Sequence, residues 1–92
     1  MDVSKKLFAN PHMVLREEFD DWAILFDPDT GKTFGLNPVS VFIYKRLDGK
    51  HSLEDLIREV RKNCDGVSAN ADGHIEDFVD SLLDKGFVGY LN

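Results

Sequence analysis

The sequence predicts an α+β domain of winged-helix type, three strands followed by three helices, and three observations predict it. Up to Leu36 the large apolar residues sit in short β-prone runs broken by turn residues. From Val39 onward they recur at helical spacing. Between the two regimes stands Asn37-Pro38, a good N-cap followed by a residue that suits the first helical position, where its missing N–H costs nothing. Ninety-two residues hold one domain, expected over 1–92 with an ordered core at about 13–91. A chain this short buries only roughly 60–65% of its unfolded surface, so nearly every large apolar residue must serve the core.

The strands are expected at Met13–Glu17, Trp22–Phe26 and Lys32–Leu36. Glu18-Phe19-Asp20-Asp21 makes a polar turn between the first two. Asp27-Pro28-Asp29-Thr30-Gly31 has the proline, aspartates and glycine of a tight hairpin loop between the second and third. Together they make an antiparallel meander, in which Phe34 and Leu36 share one face of the last strand and Thr33 and Gly35 the other.

Val39, Phe42, Ile43 and Leu47 form the stripe of the first helix, with Gly49 as its C-cap and a tight αα turn over Gly49–His51. Ser52 opens the second helix with Asp55 three residues on, a variant of the capping box. Leu53, Leu56, Ile57 and Val60 are its buried stripe, and Asn63–Gly66 ends it. The third helix starts between Ser68 and Asp72 and carries Ile75, Phe78, Val79, Leu82 and Leu83 at i, i+3, i+4, i+7, i+8. Lys85 complements its dipole and Gly86 stops it. Phe87–Leu91 is an extended tail that packs back on the core.

Composition excludes several classes of function. The formal net charge is −6, and the segment from Asn63 to Asn92 holds six acids against one base, Lys85. That balance repels phosphates and argues against a nucleic-acid surface. No apolar run approaches the ~20 residues that span a bilayer, so no membrane role is expected. The N-terminal Met1-Asp2-Val3-Ser4-Lys5-Lys6 lacks the apolar stretch of a signal peptide. Cys64 has no internal disulfide partner, which suits a reducing cytoplasm.

No catalytic or metal motif emerges. The 27–31 loop starts like a calcium loop, but the later ligands and flanking helices of an EF-hand are missing. His12, His51, His74 and Cys64 show no ligand spacing and read as surface residues. Ser52 beside His51 has a capping task and no oxyanion-hole motif. Neither phosphate-binding glycine pattern is present. No cofactor, no metal and no enzymatic activity are expected.

Gly35-Leu36-Asn37 enters the first helix, Leu47-Asp48-Gly49 leaves it, and Ser52-Leu53-Glu54-Asp55-Leu56 opens the second. Phe78, Leu82 and Lys85-Gly86-Phe87-Val88 mark the third helix and its exit. In this order and spacing, from about Val14 to Val88, the chain resembles the PqqD-like family, the peptide-binding domains also called RiPP recognition elements. The resemblance implies a non-catalytic domain that binds the leader of a ribosomally made precursor peptide. It implies presentation of that peptide to a modifying enzyme, often a radical S-adenosylmethionine protein. It also implies that the leader adds as a strand beside the third strand, in a groove against the third helix.

Carried onto this chain, the receiving edge is Lys32, Thr33, Phe34, Gly35 and Leu36, with the helix flank of Val79 and Leu83 as apolar anchor. An edge strand exposes unpaired N–H and C=O groups that a second chain can complete. Gly35 weakens the strand and lets another backbone come close; read alone it is better explained as easing the bend into Asn37-Pro38, and the family resemblance is what favours the close approach. Asp72, Glu76, Asp80 and Asp84 repeat at i, i+4 along one flank, either as a solvated face or as a lure for a basic ligand. In the second case Glu76 and Asp80 border the groove, while Asp77 and Asp84 lie farther round. The open edge would also permit a homodimer. Two rival readings are a winged-helix DNA-binding regulator and a protein–protein adaptor with no strand-addition site. The first needs a third helix rich in Arg, Lys, Asn or Gln, and this helix carries acids.

Overall fold

A computed structural model describes residues 4–63 and 70–90. The order is β1 (Lys6–Ala9), β2 (Val14–Glu17), β3 (Ala23–Phe26), β4 (Thr33–Leu36), α1 (Pro38–Tyr44), β5 (Asp48–Ser52), α2 (Leu53–Asn63), α3 (Ala71–Asp84) and β6 (Val88–Tyr90). The expectations placed on Met1–Val3, on Cys64, on the segment past Asn63 up to residue 69 and on Leu91 lie outside the described residues.

The expected meander is present as β2-β3-β4, antiparallel throughout, with Leu15 opposite Leu25 and Leu25 opposite Phe34. Its first turn puts Asp20 and Asp21 both at positive φ, and Trp22 N–H donates to Phe19 O at 3.1 Å. Two successive left-handed residues match the twist of a hairpin, and aspartate tolerates that region better than most side chains. The second turn closes through Gly31 N–H to Asp27 O at 2.8 Å.

The structure corrects the reading of the N-terminus and of the α1–α2 junction. A second sheet, ordered β5-β1-β6, was not expected. Its central strand β1 pairs antiparallel with both neighbours, Leu7 facing His51 on one side and Tyr90 on the other. Residues 49–51 are therefore strand rather than a turn between helices, and Gly49 caps no helix. Its φ of +82° sits where the ladder jumps from Leu7↔His51 to Phe8↔Asp48, a bulge that a glycine enters without the Cβ penalty. Helix α1 ends at Tyr44, and i→i−3 turns (Arg46 N–H to Ile43 O, Leu47 N–H to Tyr44 O) carry the chain on to a buried Leu47. Val41, not Val39, points inward; Val39 is exposed.

Three other helix ends behave as the sequence implies. Asn37 Oδ1 accepts from Ser40 N–H at 2.8 Å, with Pro38 at the first position of α1. Ser52 and Asp55 cap reciprocally: Ser52 N–H donates to Asp55 Oδ2 at 2.9 Å, and Asp55 N–H donates to Ser52 Oγ at 3.3 Å. Helix α3 closes in a Schellman motif, Gly86 N–H to Leu83 O and Phe87 N–H to Leu82 O, with Gly86 left-handed at φ +76°. One core joins both sheets to the helices through Leu7, Leu25, Leu36, Ile43, Leu53, Leu56, Val60, Val79 and Leu82.

Candidate functional site

Strand β4 is one of the two terminal strands of its sheet, β2 being the other, and it is the one whose inner face meets α3 through Phe34 and Phe78. Which of its backbone groups point outward follows from the ladder. Asp27 N–H donates to Lys32 O at 2.9 Å, and Asp27–Lys32 continues the register that pairs Phe26 with Thr33. In an antiparallel ladder bonded and non-bonded pairs alternate. Leu25–Phe34 and Ala23–Leu36 are thus bonded pairs, and Phe26–Thr33 and Ile24–Gly35 are not. The other side of β3 gives the same phase: Glu18 N–H donates to Trp22 O at 2.7 Å, which leaves Ile24 and Phe26 to bond β2. The N–H and C=O groups of Thr33 and Gly35 consequently point away from β3, into the open edge.

Gly35 is not needed where it is for any reason internal to the described chain. Its φ lies outside the left-handed range, and a Cβ built on it meets no atom within 4 Å. It lies inside a ladder that runs on in register to Leu36, so it makes no bulge. On its face of the sheet Trp22 is 51% and Ile24 37% exposed, an apolar row that the bare glycine leaves uncovered.

The opposite, inner face of β4 carries Phe34, half-buried, and Leu36, fully buried. The Phe34 ring lies 6.0 Å from that of Phe78 on α3 and 6.5 Å, edge-on, from Phe87. Lys85 Nζ sits 5.8 Å from the Phe34 centroid. At about 100° per residue, Phe78 and Lys85 belong to one stripe of α3 with His74 and Ser81. That stripe flanks β4, and it contains no acid.

The acidic flank lies elsewhere. Asp72 Oδ1 accepts from Arg61 Nε at 3.0 Å and from Arg61 Nη2, which ties that side of α3 to α2. Glu76 and Asp80 follow it and, with Gly73 and Asp77, line a shallow polar depression. Both stand about 160° round the helix from Phe78. Asp72, Glu76, Asp80 and Leu83 are therefore not brought beside β4, and Val79 is wholly buried in the core. Of the residues named from sequence, Lys32 to Leu36 stand together at the edge. Phe78, Phe87 and Lys85, which border it, were read only as core and cap. The missed signal was the phase of α3: Phe78 and Lys85 are seven apart and share a side, whereas Glu76 and Asp80 fall on the other.

Two of the histidines read as surface residues are hydrogen-bonded. His12 Nε2 meets Asp29 Oδ2 at 2.7 Å, and His51 Nδ1 meets Asp48 Oδ1 at 3.0 Å, which holds the Asp48 carboxyl below its ordinary range. Among the described residues His12, Asp27 and Asp29 are the grouping that could share an ion. Their geometry is accounted for by the hairpin itself: Asp27 accepts from Asp29 N–H, which lowers its carboxyl pKa. Among the described residues no helix is long and apolar enough to cross a membrane.

Solved structures share this fold. TbiB1 in complex with the TbiA(beta) leader peptide is 22% identical with a TM-score of 0.71, over 92% of this chain and 99% of that one. Lasso peptide synthetase B1 complexed with the leader peptide is 23% identical at 0.71, over 91% and 98%. The heterocyclase TruD is 15% identical at 0.65; the match takes in 95% of this chain but 12% of that much larger one. No curated protein sequence matches. The family described as coenzyme PQQ synthesis protein D matches residues 23–88, from the start of β3 to the first residue of β6, and the chain belongs to this PqqD family.

Proposed function

We propose that the chain binds the leader segment of a ribosomally synthesised precursor peptide as an added strand on β4 and presents it to a modifying enzyme. The observation that carries this reading is the pair of outward-facing residues, Thr33 and Gly35, on a strand with an open side and an aromatic floor. Main-chain pairing supplies affinity in strand addition, and pockets for alternate side chains supply specificity. Membership of the PqqD family supports the reading, as do the two similar small proteins whose structures hold leader peptides. In this account the domain binds and the chemistry belongs to its partner, a radical S-adenosylmethionine enzyme or another peptide-modifying protein of the cytoplasm. The same edge would let two copies pair, in competition with the peptide.

The test is calorimetric titration of the chain with the short peptide encoded beside its gene. Saturable binding that is lost when the peptide's strand-forming stretch carries N-methylated amides on alternate residues supports the reading. Binding indifferent to those methyl groups would mean side-chain docking without strand addition.

A further inference from the structure

We propose that the β4 edge selects a peptide strand with an acidic side chain on its inner face, placed to meet Lys85 and Lys32 next to an apolar residue seated on Phe34 and Phe78. This rests on the strand-addition reading above and specifies its ligand.

The period of two in a strand decides which ligand side chains face inward. A strand added beside β4 pairs its backbone with Thr33 and Gly35. Its residue opposite Phe34 then points to the same side as Phe34, against Phe78 and under Lys85. The residues two before and two after it point the same way. One of these stands beside Lys32, which begins the inner row at the hairpin end, since Lys32, Phe34 and Leu36 alternate with Thr33 and Gly35.

Charge around this row runs against the charge of the chain. The protein carries −6, and α3 alone has Asp72, Glu76, Asp77, Asp80 and Asp84. Yet the α3 stripe next to β4 is His74, Phe78, Ser81 and Lys85. The nearest acid, Asp77, lies about 40° beyond Ser81. Among the described residues Lys6, Arg16, Lys45, Arg58 and Arg61 meet carboxylates, whereas Lys32 and Lys85, like Lys5, Arg46, Lys50 and Lys62, do not; of these six, Lys85 is the one that stands over the Phe34 ring. Lys85 Nζ lies 5.8 Å from the Phe34 ring centroid, within cation–π range at an exposed site where a ligand can reach it. A helix C-terminus accounts for a lysine at position 85 but not for the absence of acids along its stripe. A basic ligand, the reading suggested by the acid count, would bring its charge to the one flank of α3 without acids.

A random twelve-residue peptide library displayed on phage, selected on the folded chain, tests this. Selection is repeated on Lys85→Glu and Lys85→Arg after thermal melts confirm that both fold. Recovered sequences should carry Asp or Glu two residues from an aliphatic or aromatic residue. Lys85→Arg should keep that preference and Lys85→Glu should replace it with Lys or Arg. For individual acidic winners, Lys85→Gln should weaken binding by roughly threefold to fivefold, the scale of a surface ion pair. Winners that perturb the Thr33 and Gly35 amides but show no acidic preference would overturn the proposal and leave strand addition standing. Winners that leave those two amides unmoved, or a selection that recovers no peptide, would overturn both.

Discussion

The two sheets of this domain are built from opposite kinds of sequence. In β2-β3-β4 the strands are rich in branched and aromatic residues, the turns are marked by Asp, Pro and Gly, and the β4 edge, like that of β2, has no strand partner among the described residues. In β5-β1-β6 the strands read Asp-Gly-Lys-His-Ser, Lys-Leu-Phe-Ala and Val-Gly-Tyr, and only pairing across the chain makes them strands. The second sheet joins residues far apart in sequence: the N-terminal segment, the α1–α2 junction and the end of the chain. The first is local and presents a surface. The difference separates holding the fold together from offering a site, and substitutions in the two sheets should fail in different ways.

The largest expected effect is on stability, from Leu7→Ala. Leu7 is fully buried in β1 and packs with the common core, so its truncation should cost about 2–5 kcal/mol in denaturant unfolding. A loss under 1 kcal/mol would mean that the β5-β1-β6 sheet contributes little in solution.

The matching change in the other sheet is at Gly35. Gly35→Pro removes an N–H with no partner among the described residues, at an edge where proline is tolerated, so folding should change little. Peptide affinity should fall by about 1–3 kcal/mol, the cost of a main-chain bond left unmade. Gly35→Ala keeps the N–H and meets open space, so it should stabilise by about 0.4–1 kcal/mol and bind nearly as before. Thermal melts and titration of the two variants side by side check the distinction.

A smaller effect belongs to the Ser52–Asp55 cap, where β5 hands over to α2. Ser52→Ala should cost about 1 kcal/mol, as N-cap losses do. The bond from Ser52 N–H, with Lys6 beside it at 3.1 Å, holds the Asp55 carboxyl well below the usual carboxylate range. Its folded pKa is depressed, so its contribution is present in full above the ordinary value of about 4 and fades as pH falls toward the folded value. Wild-type stability should therefore decline below about pH 4, and Asp55→Asn should flatten that decline while lowering stability at pH 7.

Smallest of all should be the acids of α3. Neutralising Glu76 and Asp80 together should leave peptide affinity within about twofold, because they stand across the helix from Phe78 and surface charge acts weakly at that range. Asp77, nearer the groove stripe, should matter more than either. If Glu76 and Asp80 prove the sensitive pair, the ligand lies on the α2 side of α3.

Legibility followed the same division. Alternation and turn residues located β2, β3 and β4 because those strands bury one face locally, and helix periods with the caps at Asn37 and Ser52 and the stop at Gly86 located the three helices, though not the end of α1. The strand at 48–52 could not be read, since Asp-Gly-Lys-His-Ser has no strand preference and takes its conformation from β1. The terminal strand was legible at Lys32–Leu36, but which helix flank stands beside it was not. That depends on the rotation of α3 in the core, set by Ile75, Val79 and Leu82 together, and a stripe alone does not say which border faces the sheet.

Amide hydrogen exchange at four consecutive residues tests the central claim most directly. In the free chain Phe34 and Leu36, bonded to β3, should be protected, while Thr33 and Gly35 exchange close to the rate of an open backbone. With the partner peptide at saturation, Thr33 and Gly35 should gain protection and Phe34 and Leu36 change little. Equal protection of all four in the free monomer would contradict the open edge. Saturating peptide that leaves Thr33 and Gly35 exchanging as before would contradict strand addition.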